Sequence, residues 1–214
     1  PLTEAEIDQM MATFIGTIVQ VPPMYSAVKV NGKRLYEYAR AGESVERPKR
    51  QAEIESFERI TAPVFHEATQ IQSWRFRVAC GKGTYVRTLA VDLGAKLGYP
   101  AHMSDLTRLA SGGFTVGQAV TLAQVSELME KGQIEQALRP IEEAMSAFPR
   151  IDLSDADWQK VKNGQLMPLK IFGLKENVPG LLAFFYQDQL VSLYAQHPEK
   201  KGLLKPSKVI RNEV

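Results

Sequence analysis

The chain has 214 residues, of which 44% are hydrophobic and 23% charged, and its formal net charge at pH 7 is +2. Its single cysteine, Cys80, excludes a disulfide framework within the chain, and no apolar run reaches the roughly 18 residues of a membrane span. We therefore expect a soluble, cytoplasmic protein with one large or two smaller domains and no membrane association. Because the sequence opens inside an amphipathic pattern rather than a leader, we expect it to be internal to a longer protein.

Positive charge is concentrated in two segments. Residues 29–50 hold seven Lys or Arg against three Glu, and residues 200–211 hold five cations and no acidic residue. Such clusters could follow a polyanion, although charge alone favours two solvated surfaces.

The first predicted element is a helix over residues 3–15, because Thr3 and Glu6 have the spacing of a capping box and the apolar residues that follow lie on one helical stripe. A Pro-Pro break comes next. It is followed by an extended run from Tyr25 to Val30, an Asn-Gly turn and a short helix that ends at Gly42.

The middle of the chain changes from strand to helix over a few residues. Apolar and polar side chains alternate from Trp74 to Cys80, which predicts a strand with one buried face, whereas the apolar residues from 54 to 60 alternate less regularly. A Gly-Lys-Gly turn then precedes a helix that starts near Val86 and is predicted to stop at Gly98.

The remainder of the chain is predicted to contain short elements. Residues 99–120 form a loop or short helix, a Gly-Gly break and a return strand, and a capping box at Thr121 starts a helix through Met129. A helix capped by Ser154 and a hairpin that turns at Gln187 and Asp188 follow. We predict a domain boundary between residues 140 and 150.

Tyr85 and Arg87 lie at the junction of strand and helix. In a helix, side chains two positions apart point about 200° apart, whereas in an extended segment they share a face. If both residues serve one site, the helix therefore has to begin around them.

The residue types at this junction suit contact with a nucleobase. Arg87 offers a fork of donors to a carboxylate or phosphate, and Tyr85 offers a flat ring and a hydroxyl group that can exchange a proton. A buried tyrosine and a surface arginine in an ion pair account for the same two residues, and their spacing does not decide between these interpretations.

The sequence offers weaker support for three other kinds of site, namely a nucleotide site, a metal site and a cysteine nucleophile. The full phosphate-loop pattern is absent, so the Gly-Lys-Gly turn alone does not indicate a nucleotide site. The histidines lack the spacing of metal ligands, and Cys80 fits a small core residue better than a nucleophile. We expect no metal.

Three motifs together resemble a known family. The segments "YSAVKVNGKRLYEYARAG" (residues 25–42), "GKGTYVRTLAVDLGAKLG" (81–98) and "AHMSDLTRLASGGFTV" (101–116) are similar, in this order and spacing, to the bacterial tRNA pseudouridine synthase B family. The resemblance covers essentially the whole chain. It implies an α+β fold in which residues 1–145 are part of a catalytic domain with a mixed, largely antiparallel sheet, and residues 146–214 form a mostly-β, PUA-like RNA-binding domain.

The resemblance also implies an activity and its site residues. Members convert the uridine at position 55 of the tRNA T loop to pseudouridine by flipping the base, without metal or organic cofactor. Tyr85 would be the active-site tyrosine, Arg87 the partner of the catalytic aspartate, and Leu106 an apolar wall of the uracil pocket. Further substrate-binding roles fall to Tyr25, Lys29, Lys33, Arg34, Lys82 and Arg108.

The sequence departs from the family pattern in one respect. The catalytic aspartate of the family lies in a "GTLDPxATG"-like segment upstream of the region where this chain begins, and no aspartate here has such flanks. We therefore expect the chain to be the C-terminal two-thirds of the enzyme and to be inactive alone. Its expected partners are the tRNA T arm and the missing N-terminal segment, and we expect it to be a monomer. We also expect a partly buried Arg87 without its carboxylate, unless it is hydrated, to make the chain less stable than the intact enzyme. The alternative is a non-catalytic tRNA-binding or RNA-chaperone module.

Overall fold

The computed structural model describes residues 1–175, 178 and 180–214, and its chain divides into two compact units, residues 1–106 and 107–214. The domain boundary near residue 145 stays a prediction. The elements of the first unit are α1 (Glu4–Ala12), β1 (Gly16–Gln20), β2 (Lys29–Val30), β3 (Lys33–Arg34), α2 (Leu35–Ala41), β4 (Arg50–Arg59), β5 (Val64–His66), β6 (Ile71–Ser73), β7 (Phe76–Cys80) and α3 (Val86–Leu97).

The second unit combines short helices with a larger sheet. Its elements are β8 (Ala110–Ser111), β9 (Phe114–Thr115), α4 (Leu122–Glu130), α5 (Ile141–Ala144), β10 (Arg150–Asp152), α6 (Asp155–Val161), β11 (Met167–Pro168), β12 (Leu181–Tyr186), β13 (Gln189–Gln196) and β14 (Leu203–Val209). Helices and largely antiparallel sheets in both units confirm the α+β class. Within the described residues, no helix has the length and apolar character needed to cross a membrane.

An antiparallel sheet in the order β1, β4, β7 forms the framework of the first unit. The β4–β7 register shifts between Ile54 and Ser56. Because side chains alternate along a strand, one extra residue moves the following positions to the other face. The buried residues of β4 accordingly change from Ala52 and Ile54 to Phe57. This bulge is the reason that the sequence pattern was irregular there.

Helices α1 and α3 share one apolar core with this sheet, formed by Ile7, Met11, Phe14, Ile54, Phe57, Leu89 and Leu93. Each of these side chains is at most 3% exposed, and burial of such a side chain contributes about 1.5–3 kcal/mol. The predicted helix over residues 3–15 was too long: α1 ends at Ala12, because the chain turns into β1 at Gly16, whose φ is +97°. Phe14 nevertheless stays in the core.

The elements from β2 to α2 agree in part with the prediction from local sequence. Asn31 and Gly32 form the β2–β3 turn with φ of 50° and 84°, and α2 ends at Gly42 in the left-handed region, both as predicted. The extended run predicted from Tyr25 is shorter, because only Lys29–Val30 pairs as a strand.

Helix α3 follows its prediction closely. It spans Val86–Leu97 and ends at Gly98, whose φ of 84° favours glycine. Gly94 lies against the chain that returns after the helix: a Cβ at this position would stand 2.3 Å from Ala101 Cβ. The absence of a side chain at Gly94 therefore lets residues 99–101 pack closely on α3.

The second unit builds its core around a five-stranded sheet in the order β10, β12, β13, β14, β11. Strands β12 and β13 form the predicted hairpin, with Gln187 and Asp188 at φ of 48° and 60°. One core cluster consists of Trp158, Val161, Met167, Leu169, Leu182, Phe184, Val191, Tyr194 and Leu204. By contrast, residues 107–149 hold the predicted helix α4 but no buried side chain.

Candidate active site at the start of helix α3

Tyr85 and Arg87 lie on either side of Val86, the first residue of helix α3. Tyr85 is the N-cap residue, with extended backbone angles (φ −97°, ψ 98°), and Arg87 is the second helical residue. The helix therefore begins between them, which is the condition under which the two side chains can serve one site. Tyr85 is partly buried, and Arg87 is exposed.

The turn before Tyr85 is held to the sheet at its start. Gly81 N–H donates a hydrogen bond of 2.8 Å to Glu53 O on β4, and Thr84 Oγ1 donates one of 2.9 Å to Gly81 O. Gly83 has a φ of +84°, a conformation that glycine adopts without strain. A tight turn therefore accounts for the two glycines. Lys82, which lies between them, is exposed.

The end of the same turn is held by Gln20, the last residue of β1. Tyr85 N–H donates to Gln20 Oε1 over 3.0 Å, and Gln20 Nε2 donates to Tyr85 O over 3.2 Å. Gln20 is only 2% exposed. The sequence analysis assigned it no role and predicted no strand over residues 16–20, so no local signal marked it.

Arg87 lines an open groove of about 690 Å³ between β1 and α3. The apolar part of the groove includes Val19 and Val91, which are 62% and 45% exposed. The charged residues along it are Arg47, Arg87, Asp92 and Lys96. Among the described residues, no strand pairs with the outer edge of β1. The groove thus combines an open strand edge, an apolar wall and an excess of positive charge.

Within the described part of the chain, Arg87 forms no salt bridge. The expectation that its guanidinium is partly buried is wrong, because the side chain is exposed and water can solvate it. The desolvation penalty on which the predicted loss of stability rested therefore does not apply.

Asp92 places a carboxylate of the chain itself in the groove. Burial raises its pKa above the usual range, and nearby Lys96 opposes the shift. Lys96 in turn donates to Thr13 Oγ1 over 3.2 Å and lies 4.1 Å from the ring centroid of Phe14. Asp92 is therefore set into the groove wall.

Three of the basic residues predicted to bind substrate, Lys29, Lys33 and Arg34, are carried by the β2–β3 hairpin. Lys33 Nζ lies 3.0 Å from Glu43 Oε2, and Arg34 donates to the Tyr36 hydroxyl group over 3.0 Å. Lys29 lines a second open groove, of about 800 Å³, whose other charged residues are Glu46, Arg47, Lys49 and Arg50.

Arg47 joins the two grooves. It lines both of them and donates to Pro22 O over 3.1 Å. Arg47 is thus a lining residue that the groove of Arg87 and the groove of Lys29 share. Tyr25, which is 61% exposed, lies on the connecting chain between β1 and β2.

The remaining predicted residues are less constrained. Leu106 is 52% exposed at the end of the first unit, and its place in the wall of a pocket stays a prediction. Arg108 belongs to the second unit and donates to Ser111 Oγ over 3.4 Å. In the part of the chain that is described, no group of three or more His, Cys, Asp or Glu residues is arranged to hold a metal ion.

Comparisons with known proteins relate the whole of this arrangement to one family. The family model for the N-terminal domain of TruB family pseudouridylate synthases matches residues 1–86, and that for the C-terminal domain of tRNA pseudouridylate synthase B matches residues 87–146. The tRNA pseudouridine synthases B of Halalkalibacterium halodurans and Lactiplantibacillus plantarum are each 47% identical to the chain, over 213 and 210 residues. These alignments cover 100% and 98% of the chain and 68% of each relative.

Solved structures show the same fold. A Cbf5-Nop10-Gar1 complex matches with a TM-score of 0.71 at 25% identity, covering 99% of this chain and 62% of the matched chain. An archaeal box H/ACA sRNP Nop10-Cbf5 complex matches with a TM-score of 0.66 at 24% identity, covering 97% and 62%. The chain therefore spans about two thirds of its relatives by sequence and less than two thirds of these structural neighbours.

Proposed function

The chain belongs to the TruB family of pseudouridylate synthases, and from this premise we propose that it supplies the tyrosine and arginine half of a tRNA pseudouridine-55 synthase site. The observation that carries the proposal is the start of α3, where Tyr85 and Arg87 flank the first helical peptide. This geometry lets an aromatic ring and a guanidinium approach one flipped base of the tRNA T loop.

Each residue has a defined task in the proposed reaction. The N1–C1′ bond of the uridine breaks and a C5–C1′ bond forms, so C5 loses a proton and N1 gains one. Tyr85 would stack on the uracil or exchange that proton, and Leu106 would cover an apolar face of the base. Arg87 would hold the carboxylate that acts at the ribose, because its fork of donors matches two carboxylate oxygens.

The carboxylate itself would come from the missing N-terminal segment. The groove beside β1 supports this partner, since it offers an open strand edge for backbone pairing, exposed apolar side chains and an Arg87 side chain free of salt bridges among the described residues. An acidic group on the incoming segment would also meet Arg47 and Lys96. We therefore propose that the chain alone does not turn over.

The tRNA would bind along the basic side of the molecule. The groove of Lys29, Arg47, Lys49 and Arg50 shares Arg47 with that of Arg87. The phosphates of the T arm would follow these cations towards the site. Tyr25, Lys33, Arg34, Lys82 and Arg108 would add contacts, as would residues 146–214 as a PUA-like domain. We propose that a monomeric chain, once it is complemented by the N-terminal segment, acts on cytoplasmic tRNA without a cofactor.

The test is tritium release from a T-arm stem-loop labelled at uridine C5. The purified chain is assayed alone and with the N-terminal segment added, and Arg87→Ala is compared with Arg77→Ala, which removes an exposed arginine from β7. We expect release only in the mixture. Arg87→Ala should lower it by about a hundredfold or more, and Arg77→Ala should leave it unchanged.

Two outcomes would overturn the proposal. Release by the chain alone, at a rate proportional to its concentration and lost in Arg87→Ala, would show that no upstream carboxylate is needed. Silence of the mixture would count against the enzyme.

The alternative is a non-catalytic tRNA-binding or RNA-chaperone module, favoured by the basic groove of Lys29, Lys49 and Arg50. In that case Arg87→Ala should change only the affinity for tRNA. The dependence of the binding constant on salt should become shallower by about one phosphate contact. An unchanged salt dependence together with lost tritium release would exclude this function.

A further inference from the structure

We propose that Gln20 is a positioning residue for the reaction: its buried carboxamide fixes the backbone of Tyr85 and thereby the place of the Tyr85 ring and of Arg87. The inference rests on the proposed function, because it concerns how the same site is held. Gln20 would touch neither base nor ribose and would act only through Tyr85.

The contact satisfies both backbone groups of a single residue. The carboxamide accepts from Tyr85 N–H at 3.0 Å and donates to Tyr85 O at 3.2 Å, as a neighbouring strand would do. Tyr85 O also accepts from Leu89 N–H at 3.0 Å, the first hydrogen bond of α3. Gln20 thus ties the end of β1 to the first turn of the helix.

Among the described residues, Tyr85 has one other hydrogen bond, which its O accepts from Leu89 N–H within the helix. The side chain of Tyr85 makes no capping hydrogen bond, and the anchors of the preceding turn lie at Gly81. Because Gly83 allows the turn many conformations, the Gln20 contact selects one backbone direction at Tyr85. A shift of that backbone would move the ring relative to a flipped base, and misplacement by about 1 Å can cost a hundredfold in rate.

Burial indicates that this contact is more than an incidental surface pairing. Gln20 is 2% exposed at the end of a strand whose neighbour Val19 is 62% exposed. A buried carboxamide is costly unless its donor and acceptor are both bonded, and here the Tyr85 backbone satisfies each of them. Replacement of the carboxamide oxygen or nitrogen should therefore shift the backbone of Tyr85.

The chain contains a matched control on another strand. Gln72 on β6 makes the same pair of contacts with another residue: Leu2 N–H donates to Gln72 Oε1 at 2.7 Å, and Gln72 Nε2 donates to Leu2 O at 2.8 Å. Loss of that contact changes the anchoring of the chain before α1 and leaves the backbone of Tyr85 untouched.

The experiment compares Gln20→Glu, Gln20→Met and Gln72→Glu in the chain complemented with the N-terminal segment. Single-turnover tritium release and tRNA affinity are measured from pH 6 to pH 8, and each rate is divided by the wild-type rate at the same pH. Glu keeps the acceptor for Tyr85 N–H but sets a second oxygen against Tyr85 O. Met removes both hydrogen bonds.

We expect Gln20→Glu to be about ten- to a hundredfold slower at pH 8, with tRNA affinity unchanged. Its relative rate should recover as the pH falls, because a protonated carboxyl group again donates to Tyr85 O and burial raises the pKa of such a group. Gln20→Met should be slow at every pH. Gln72→Glu should react at the wild-type rate throughout.

The failures are distinguishable. If the wild-type mixture reacts and both Gln20 variants match it, or if Gln72→Glu slows to the same degree, Gln20 is not a positioning residue. If the wild-type mixture is silent, the proposed function fails. Amide hydrogen exchange on the chain alone then decides the contact: Gln20→Met must speed exchange at Tyr85 but not at Leu2, and equal exchange at Tyr85 in both proteins overturns the inference.

Discussion

The five-stranded sheet of the second unit buries its apolar side chains, whereas the groove beside β1 leaves two of them largely exposed. In the sheet, Phe184 and Tyr194 are fully buried and their rings stack with centroids 4.4 Å apart. In the groove, Val19 and Val91 are 62% and 45% exposed. They lie beside an edge of β1 with which no strand pairs among the described residues. The sheet completes its own core, whereas an exposed apolar surface of this kind is typical of an interaction site. We therefore expect stability and binding to depend on different regions.

The largest effect should come from a cavity in the sheet. Phe184→Ala should lower the free energy of unfolding by about 3–5 kcal/mol, because the neighbours of a fully buried ring cannot close the space. Val19→Ala should cost less than about 1 kcal/mol, since most of that side chain is already in water. Urea unfolding followed by tryptophan fluorescence measures both, and equal losses in the two variants would contradict the comparison.

A smaller effect, and one on binding rather than folding, is expected in the groove. Val19→Lys should leave the free energy of unfolding within about 0.5 kcal/mol of wild type, because the side chain is exposed. It should weaken binding of the N-terminal segment at least about tenfold, since an apolar contact and an open strand edge are both disturbed. Titration of the labelled segment measures the affinity.

The control for this binding experiment is Val209→Lys, which changes a valine that is 45% exposed at the end of β14. This variant should bind the segment as wild type does. If Val19→Lys binds as tightly as Val209→Lys, the groove is not the docking surface.

The smallest effect concerns alkaline pH. Burial raises the pKa of Tyr194 from about 10 to about 12, while its hydroxyl group donates to Gln165 O at 2.8 Å. Between these values the folded chain keeps a proton that the unfolded chain loses, so stability must fall as pH rises from 10 to 12. Tyr194→Phe should lose the hydrogen bond, worth about 1 kcal/mol, and should show a shallower fall.

Urea unfolding at pH 8, 10 and 11 checks this prediction. The wild-type chain should lose stability between pH 10 and 11 relative to Tyr194→Phe, and the two should run parallel below pH 9. A parallel course across the whole range would mean that Tyr194 does not titrate differently in the folded and unfolded chains.

Much of the fold could be predicted because neighbouring residues determine it. The apolar spacing and Gly98 predicted helix α3, and Asn31-Gly32 predicted its turn, since a few backbone angles and short contacts decide such elements. The Gln187-Asp188 turn followed from the same kind of signal. Tyr85 and Arg87 could be singled out for the same reason, because the start of a helix between them is a local event.

The parts that failed depend on residues distant in sequence. The extra residue in β4 is defined only by its pairing with β7, and the early end of α1 follows from the turn into β1, a strand that pairs with the distant β4. The exposure of Arg87 was likewise decided by the shape of the groove.

The sequence by itself determined which residue types meet at the start of α3 and to which family the chain is similar. Tertiary structure decided that Gln20, 65 positions before Tyr85, holds that residue in place, and that the wall beside Arg87 stays open. The reason is physical: propensities and turns act over a few bonds, whereas a buried hydrogen bond or an unfilled groove exists only once distant strands and helices are packed.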